Sequence, residues 1–356
     1  MVPGQQPGKP RVSVCIANYN GDDVLEACLA SVAAQTCSFA VETLVHDDAS
    51  TDGSPALVRS RFPAVTLLCA DENVGFCRSN NRLAAAARGD YLLLLNNDAT
   101  LHPGALEALY RYQDAHGDAG ILTLPQYAAD SGELLDRGMH MDLFANPIPN
   151  TAPGTREVAT VMGSCLWISR ALWEELGGFP EWFGSIGEDM YLCCLARLRG
   201  RAVVAVDETG YDHVVGHSFG GGRVEGRRLR SSLRRRALSE LNKNRVMALC
   251  YPGFTVLLLL PQALLLLLEG LALSLRDGNL RVLRQIYLPA IARVAGDWRR
   301  LRRERRAIQA ARRRGIADFF RPLRLTHHKL WLLRRYGLPH ISETGIEGRG
   351  EDRREH

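Results

Sequence analysis

The stretch YLLLLNNDAT, residues 91–100, decides the fold. Tyr91 opens onto four leucines, Leu92 to Leu95, and the run ends directly in Asn96, Asn97 and Asp98. A strand covered on both faces reads as an unbroken apolar run, whereas a strand with one wet face alternates. Open parallel α/β sheets collect their ligands at the carboxyl ends of the strands. Asp98 is therefore expected at the mouth of a site. Taken alone, the NND triplet is explained at least as well by turn chemistry closing the strand.

The surrounding sequence alternates in the same way. RVSVCIA (11–17) reads as a strand, and DDVLEACLASVAAQ (22–35) as a helix with Val24, Leu25, Cys28, Leu29 and Val32 on one face. AVETLVHDD (40–48) is a second strand, and STDGSPALVRSRF (50–62) a helix that opens with capping residues. AVTLLCAD (64–71) is a third strand, SNNRLAAAAR (79–88) a helix, and DYLLLLNND (90–98) a fourth strand. HPGALEALYRYQDAHG (102–117) and AGILTL (119–124) add a helix and a strand. This alternation predicts an α/β fold with a mostly parallel sheet covered by helices on both faces. Asp47 and Asp48 end the second strand, the loop DENVGFCRSNN follows the third, and NND follows the fourth. Three polar clusters at the same end of successive strands converge on one crevice, and together they predict a ligand site where one alone does not.

Motifs that are missing narrow the chemistry. No GxGxxG follows the first strand and no GxxxxGK[ST] occurs, so neither a dinucleotide fingerprint nor a phosphate-loop NTPase is indicated. The position where a sugar nucleotidyltransferase would carry a Gly-rich basic loop holds ANYNG. The 356 residues, 46% hydrophobic and 23% charged, suit a folded core with one large domain plus an appendage, or two domains. Nine cysteines, with no CxxC pair, outline no metal or disulfide framework and favour a reducing compartment. The start MVPGQQPGKP lacks a basic region followed by an apolar core, so no signal peptide is expected there.

Five segments carry a resemblance to a known family: CIANYNG (15–21), HDDASTDGS (46–54), NVGFCRSNN (73–81), GDYLLLLNND (89–98) and GGFPEWFGSIGEDMYLCCLARLRG (177–200). Their order and spacing resemble the family 2 glycosyltransferases of GT-A fold, closest to the rhamnosyltransferase and galactofuranosyltransferase-like branch, from about residue 11 to 220. The resemblance implies that Ala17, Asn18, Tyr19 and Asp47 hold the nucleoside of a nucleotide sugar. It implies further donor contacts from Asn73, Gly75, Arg78, Asn81, Asn96 and Asn97. A carboxylate such as Asp47 can accept from a pyrimidine N–H and from ribose hydroxyls; the alternative is an Asp that fixes its own turn. Asp98 is implied as ligand to a divalent cation, Mg²⁺ or Mn²⁺, both of which favour oxygen donors. Asn96 stands where many relatives have a carboxylate, which leaves one acidic group at the metal and predicts weak metal binding without nucleotide. In YDHVVGHSFGG (211–221), His213 is the expected imidazole ligand and His217 its rival.

Glu188 and Asp189 precede a helical run, and the resemblance implies that Asp189 is the general base and that Glu188 contacts or orients the acceptor. The alternative is an acidic first turn complementing the helix dipole. Trp182, Phe183 and Gly163 are the expected acceptor side. The family is inverting.

The C-terminal third is different. GFTVLLLLPQALLLLLEGLALSL (253–275) is long enough to span a bilayer, but it contains Pro261, Gln262 and Glu269. Residues 281–335 hold 17 Lys/Arg against 3 Asp/Glu, whereas residues 1–280 hold 24 against 31. Basic flanks on both sides fit a helix or hairpin lying in the inner face of a membrane better than a single span, with a homo-oligomer contact as the alternative. Interleaved Ile, Phe, Leu and Trp among the arginines point to anionic lipid and away from nucleic acid. The expected organisation is a flexible 1–10, a GT-A domain over 11–245, a helical membrane-associating region over 246–335, and a flexible tail over 336–356.

The expected activity is metal-dependent transfer of a sugar from a dTDP- or UDP-sugar to a lipid-linked or polysaccharide acceptor, at the cytoplasmic face of a bacterial-type membrane. QxxRW, the mark of processive synthases, is absent. A non-catalytic binding protein on the same fold and a sugar nucleotidyltransferase are the alternatives. The presence of both Asp98 and Asp189 speaks against the first, and the missing Gly-rich basic loop against the second.

Overall fold

The protein is described by a computed structural model over residues 8–117, 119–154, 156–214, 221–225 and 228–342. It divides into two compact units. The first comprises the chain through His140, Ile148–Val214 and Arg312–Pro322; the second comprises Met141–Pro147, the helices up to Ala311 and the chain from Leu323 on.

The first unit begins with β1 (Val12–Asn18), α1 (Leu25–Ala33), β2 (Val41–Asp47), α2 (Ser54–Arg61), β3 (Thr66–Cys69), α3 (Phe76–Ala86) and β4 (Tyr91–Asn96). There follow β5 (Ala99–Leu101), α4 (Ala105–His116), β6 (Ile121–Thr123), β7 (Gln126–Ala128), β8 (Leu134–Asp136), β9 (Met139–Asp142) and β10 (Pro147–Pro149). β11 (Cys165–Ser169), α5 (Arg170–Leu176), α6 (Glu188–Leu198), β12 (Val203–Ala205) and β13 (Tyr211–His213) complete it, with a late helix at Ile316–Phe320.

Seven strands form the main sheet in the order β12-β6-β11-β4-β1-β2-β3. The leucine run lies at its centre: β4 pairs in parallel with β1, and Leu92, Leu93, Leu94 and Leu95 are all buried. Burial on both faces is what an unbroken apolar run requires. Val14, Ile16, Leu93, Leu95 and Trp167 form one face of the core with Leu25, Leu29, Leu106 and Leu109 from α1 and α4. The sheet is mixed, because β11 runs antiparallel between β4 and β6. It returns from the β7–β10 excursion without the helical crossover that a parallel neighbour needs.

A second sheet, β5-β13-β7-β8, lies beyond the end of β4. Its register sets His213 opposite Ala99, the residue after Asp98, and Val214 donates its N–H to the Asp98 carbonyl at 3.1 Å. Helix α3 starts at Phe76, three residues before the sequence pattern places it, because Gly75 turns the chain at φ 88° and the polar SNN segment is helical. Arg78 and Asn81 therefore sit on a helix and not in a loop.

The second unit is mainly helical: α7 (Leu233–Cys250), α8 (Leu259–Asp277), α9 (Leu288–Gly296), α10 (Trp298–Ala310) and, after α11 (the Ile316–Phe320 helix), α12 (His328–Tyr336). The expected boundary at 245/246 falls inside α7, a helix buried from Glu240 to Cys250. α7 carries Glu240, fully buried among Arg236 (3.1 Å), Lys243 (2.9 Å) and Lys329 (2.8 Å). Burial alone would raise the Glu240 carboxyl, but the three cations outweigh it and hold it below the usual range. Burial pushes Lys243 down to about 8. Arginines that read as a membrane-facing flank, Arg236 and Arg245 among them, are thus partly spent on internal charge pairs.

Candidate active site

The ends of β1, β2 and β4 are tied by one hydrogen-bonded chain. Asn18, buried at the end of β1, donates from Nδ2 to Asp47 Oδ1 (3.0 Å), and its Oδ1 accepts from Asn97 Nδ2 (2.8 Å). Asp47 Oδ2 accepts from Ser50 N at 3.0 Å. Gly21 lies against this chain; a Cβ there would be 2.3 Å from Asn97 Nδ2 and 2.6 Å from Asn18 Oδ1. That close approach is why ANYN is followed by glycine. Asp48 does a parallel task, accepting from Val74 N (2.7 Å) and Gly75 N (2.9 Å) to hold the loop that opens α3.

Beyond β4, Asp98 Oδ1 and His213 Nε2 stand 3.1 Å apart, with side-chain exposures of 3% and 12%. The spacing is that of an ion pair, but the approach is off the line of a hydrogen bond, and neither atom has another partner among the described residues. A shared cation is one group that would satisfy two such buried atoms. Adjacent ligands of an octahedral Mg²⁺ with bonds near 2.1 Å are about 3.0 Å apart, so the spacing fits. Behind His213, Nδ1 lies 3.3 Å from Gln126 Nε2, while Gln126 Oε1 accepts from Tyr211 OH (2.7 Å) and Ser164 Oγ (3.2 Å). Turning this amide would set Oε1 against Nδ1–H and leave the Nε2 lone pair for a metal. The rotatable hydroxyls of Tyr211 and Ser164 can satisfy either arrangement. The described residues hold no group of three His, Cys, Asp or Glu around a metal, so the remaining ligands of a cation here would be water or substrate oxygens.

The acidic pair sits in the first turn of α6. Asp189 is half-buried and Glu188 buried. Asp189 Oδ2 accepts from Gly163 N at 3.0 Å and Oδ1 from Met190 N at 2.6 Å. Ser164, next to Gly163, accepts at its carbonyl from Asn96 N at 3.0 Å. Across the β4–β11 pair, the acidic helix end and the NND end are therefore held one residue apart. Ile186, two residues before Glu188, has φ 67°. A β-branched residue in the left-handed region is strained, and such strain gathers at functional sites. Asn20 and Ala49, each beside a site strand, also have positive φ.

Comparison with known proteins assigns the domain. Residues 13–177 match the profile of glycosyl transferase family 2. The chain carries a family 2 glycosyltransferase domain.

The glycosyltransferase is 28% identical over 237 residues to the N-acetylglucosaminyl-diphospho-decaprenol L-rhamnosyltransferase of Mycobacterium tuberculosis, a match covering 58% of this chain and 77% of that one. An uncharacterized M. tuberculosis protein is 35% identical over 119 residues, but that match spans only 37% of its length and 31% of this chain. Its fold is shared with GalNAc-T7, solved with UDP, GalNAc and Mn²⁺ (TM-score 0.60, 14% identity, 94% of this chain and 59% of that one). It is also shared with the mannosyltransferase PcManGT of Pyrobaculum calidifontis, in complex with GDP-Man and Mn²⁺ (TM-score 0.51, 19% identity, 86% and 88%).

Several expected residues of the glycosyltransferase take other places. Both oxygens of Asp47 serve its own turn and Asn18, and the residue is 3% exposed, so it braces the ends of β1 and β2. Asn18 is likewise 1% exposed and spends its amide on Asp47 and Asn97. Asn81 holds the backbone of Phe179, donating to its carbonyl (2.9 Å) and accepting from its N–H (3.0 Å). It latches the loop before α6 and offers nothing to a donor. Phe183 is 1% exposed, against Trp182 and Tyr191, and has no face for a sugar. Trp182 is half-buried. Arg78 is exposed and pairs with Glu181 at 3.1 Å. Tyr19, Asn73 and Asn96 keep accessible side chains, Ala17 and Gly75 are half-buried, and Gly163 stands beside both Asp189 and Glu188. His217 lies outside the described residues. Gln126 and Asp48 were not foreseen. The doubled acid in HDD signals Asp48, whereas Gln126 reaches His213 only through strand pairing that no local pattern reveals.

Proposed function

We propose that the glycosyltransferase is inverting and metal-dependent, moving a sugar from a dTDP- or UDP-linked donor to a lipid-linked or polysaccharide acceptor of the bacterial cell envelope at the cytoplasmic face of the membrane. One observation supports this most. The Asp98–His213 pair, suited to a divalent cation, follows the end of β4, and the Asp189 carboxylate, in the first turn of α6, is bonded to Gly163, whose neighbour Ser164 accepts from Asn96 N. That is the separation of tasks the reaction needs: charge offset at the leaving diphosphate and proton removal at the acceptor.

Tyr19, 52% exposed at the end of β1, offers its ring to the nucleobase. The half-buried Asn96 amide, with no side-chain partner among the described residues, is free to bind donor oxygens. Asp98 and His213 would hold the cation, which when bound offsets negative charge on the diphosphate. Asp189 takes the proton of the acceptor hydroxyl, whose oxygen forms the new bond to the anomeric carbon as the bond to the diphosphate breaks and its electron pair leaves with that group. Gly163 N and Met190 N fix the orientation of the carboxylate, and attack opposite the leaving group inverts the centre. The name of the M. tuberculosis rhamnosyltransferase favours a rhamnosyl donor and a polyprenyl-diphosphate acceptor within this class.

The test is a panel of nucleotide sugars with Mn²⁺ or Mg²⁺ and a bacterial membrane lipid extract. Metal-dependent consumption of one donor is expected. Absence of both turnover and nucleotide binding across the panel would move the protein to the non-catalytic class.

A further inference from the structure

Exposed large apolar side chains are confined to one region. Tyr19 apart, all of them among the described residues fall between Phe254 and Leu333, within the second unit. Helix α8 is the centre of this distribution, and it carries leucines on two opposite faces. Leu260 (70% exposed), Leu264 (58%), Leu268 (54%), Leu271 (45%) and Leu275 (82%) recur at spacings of four, four, three and four. At 3.6 residues per turn they fall within about 80° of arc. Phe254 and Leu257, in the 3-10 turn just before, are also exposed. The opposite side holds Gln262, Leu266, Glu269 and Leu273, three of them buried. Glu269 pairs there with Arg236 and with Lys329 (2.7 Å). Gly270 allows the contact to close, since a Cβ would be 2.7 Å from Leu283 and 2.9 Å from Tyr287. An ordinary surface helix turns its one apolar stripe inward; α8 buries Leu266 and Leu273 beside Gln262 and still presents a second leucine stripe outward.

We infer that α8 is an in-plane membrane anchor, whose Leu260–Leu275 stripe enters one leaflet of an anionic phospholipid bilayer while its other face stays bolted to the second unit. This rests on the proposed membrane location, and not on the chemistry of transfer. The 25 residues Gly253–Asp277 are long enough and apolar enough to cross a bilayer. Crossing, however, would carry Glu269 and its partners Arg236 and Lys329 into hydrocarbon, where charges are strongly disfavoured. Self-association through the stripe would bring together two copies of a unit rich in exposed arginine, among them Arg284, Arg293, Arg299, Arg302, Arg303 and Arg306. An anionic leaflet supplies the opposite charge.

The full chain is tested by flotation with vesicles of phosphatidylcholine alone and of phosphatidylcholine with phosphatidylglycerol, beside the double variant Leu264→Glu/Leu268→Glu. Both positions are exposed, so the variant is expected to keep its circular dichroism spectrum and urea midpoint. Expected are salt-sensitive binding to the anionic vesicles, a loss of about tenfold or more in the variant, and release of the wild type by alkaline carbonate. Three results would overturn the inference: unchanged binding of the variant, retention of the wild type through carbonate, or a solution dimer that the substitutions dissociate. Donor hydrolysis without lipid is read on the same samples. Vesicle binding without donor hydrolysis would count against the transferase reading alone.

Discussion

Gly163 donates its backbone N–H to Asp189 Oδ2 at 3.0 Å, and this one bond ties the acidic start of α6 to the strand beside the NND motif. Neighbouring Ser164 is bonded to Asn96, so a shift of either element moves the proposed base relative to the metal ligands. Residues almost a hundred positions apart are held through the main chain of Gly163 and Ser164, with the Asp189 carboxylate as the one side-chain partner.

Asp189→Asn keeps one acceptor oxygen for the Gly163 N–H, gives up the second acceptor that faces Met190 N, and cannot take a proton. Transfer is expected to fall by about 10²- to 10⁴-fold, with the donor's dissociation constant unchanged. Parallel kinetics and nucleotide titration check this. A matching loss of donor affinity would mean that Asp189 serves the donor instead.

Gln126→Leu removes the amide behind His213 while leaving Tyr211 and Ser164 bonded to each other at 2.7 Å. Removing the group that orients a ligating imidazole costs about 10- to 100-fold in metal affinity. Titration of Mn²⁺ by electron paramagnetic resonance, with UDP present, reads this directly. An unchanged affinity would remove His213 from the metal site.

Asn81→Ala separates bracing from donor binding. The account expects about 1–3 kcal/mol lower stability from the two lost bonds to Phe179, a slower transfer, and unaltered donor affinity. Thermal unfolding with donor titration distinguishes the roles; weaker donor binding at unchanged stability would restore Asn81 to the donor site.

Much of the fold was legible because the deciding signals are local. Four leucines flowing into NND mark a central strand and its active end, and alternation of apolar runs with helical faces marks the layers. What escaped is set by long-range pairing. β11 enters antiparallel after a long excursion, and nothing in CLWIS states its direction. Asp98, Asp189 and His213 are singled out in the sequence as candidates, and where each stands is set by the β4–β11 and β5–β13 registers. Asp47, Asn81 and Phe183 are of types that bind ligands when exposed, and burial within the fold redirected them. The C-terminal leucines were legible as a long apolar helix, while the inward face of α8 depended on Arg236 and Lys329 meeting Glu269.

Asp136, buried at the end of β8 near His213, gives a pH signature. Burial pushes its carboxyl up to about 7, against a bond from Gly138 N and the attraction of His213. A carboxyl raised in the folded state binds its proton more tightly there than in the unfolded chain. The Asp136 contribution to stability is therefore greatest below pH 4, falls as pH rises through about 7, and levels off above it. Asp136→Asn should match the wild type near pH 4 and exceed it at pH 8 by up to about 4 kcal/mol. Urea midpoints across that window check the slope, and a parallel course of the two proteins would contradict it.

The central claim is that Asp98 with His213 serves the leaving diphosphate and that Asp189 serves the acceptor. On the donor identified by the panel, single-turnover transfer would be followed for wild type, Asp98→Ala and Asp189→Asn with Mn²⁺ and after chelation. The account predicts that chelation and Asp98→Ala abolish transfer together with nucleotide-dependent Mn²⁺ binding, while Asp189→Asn abolishes transfer and keeps that binding. Full transfer by the Asp98→Ala or Asp189→Asn protein would contradict it.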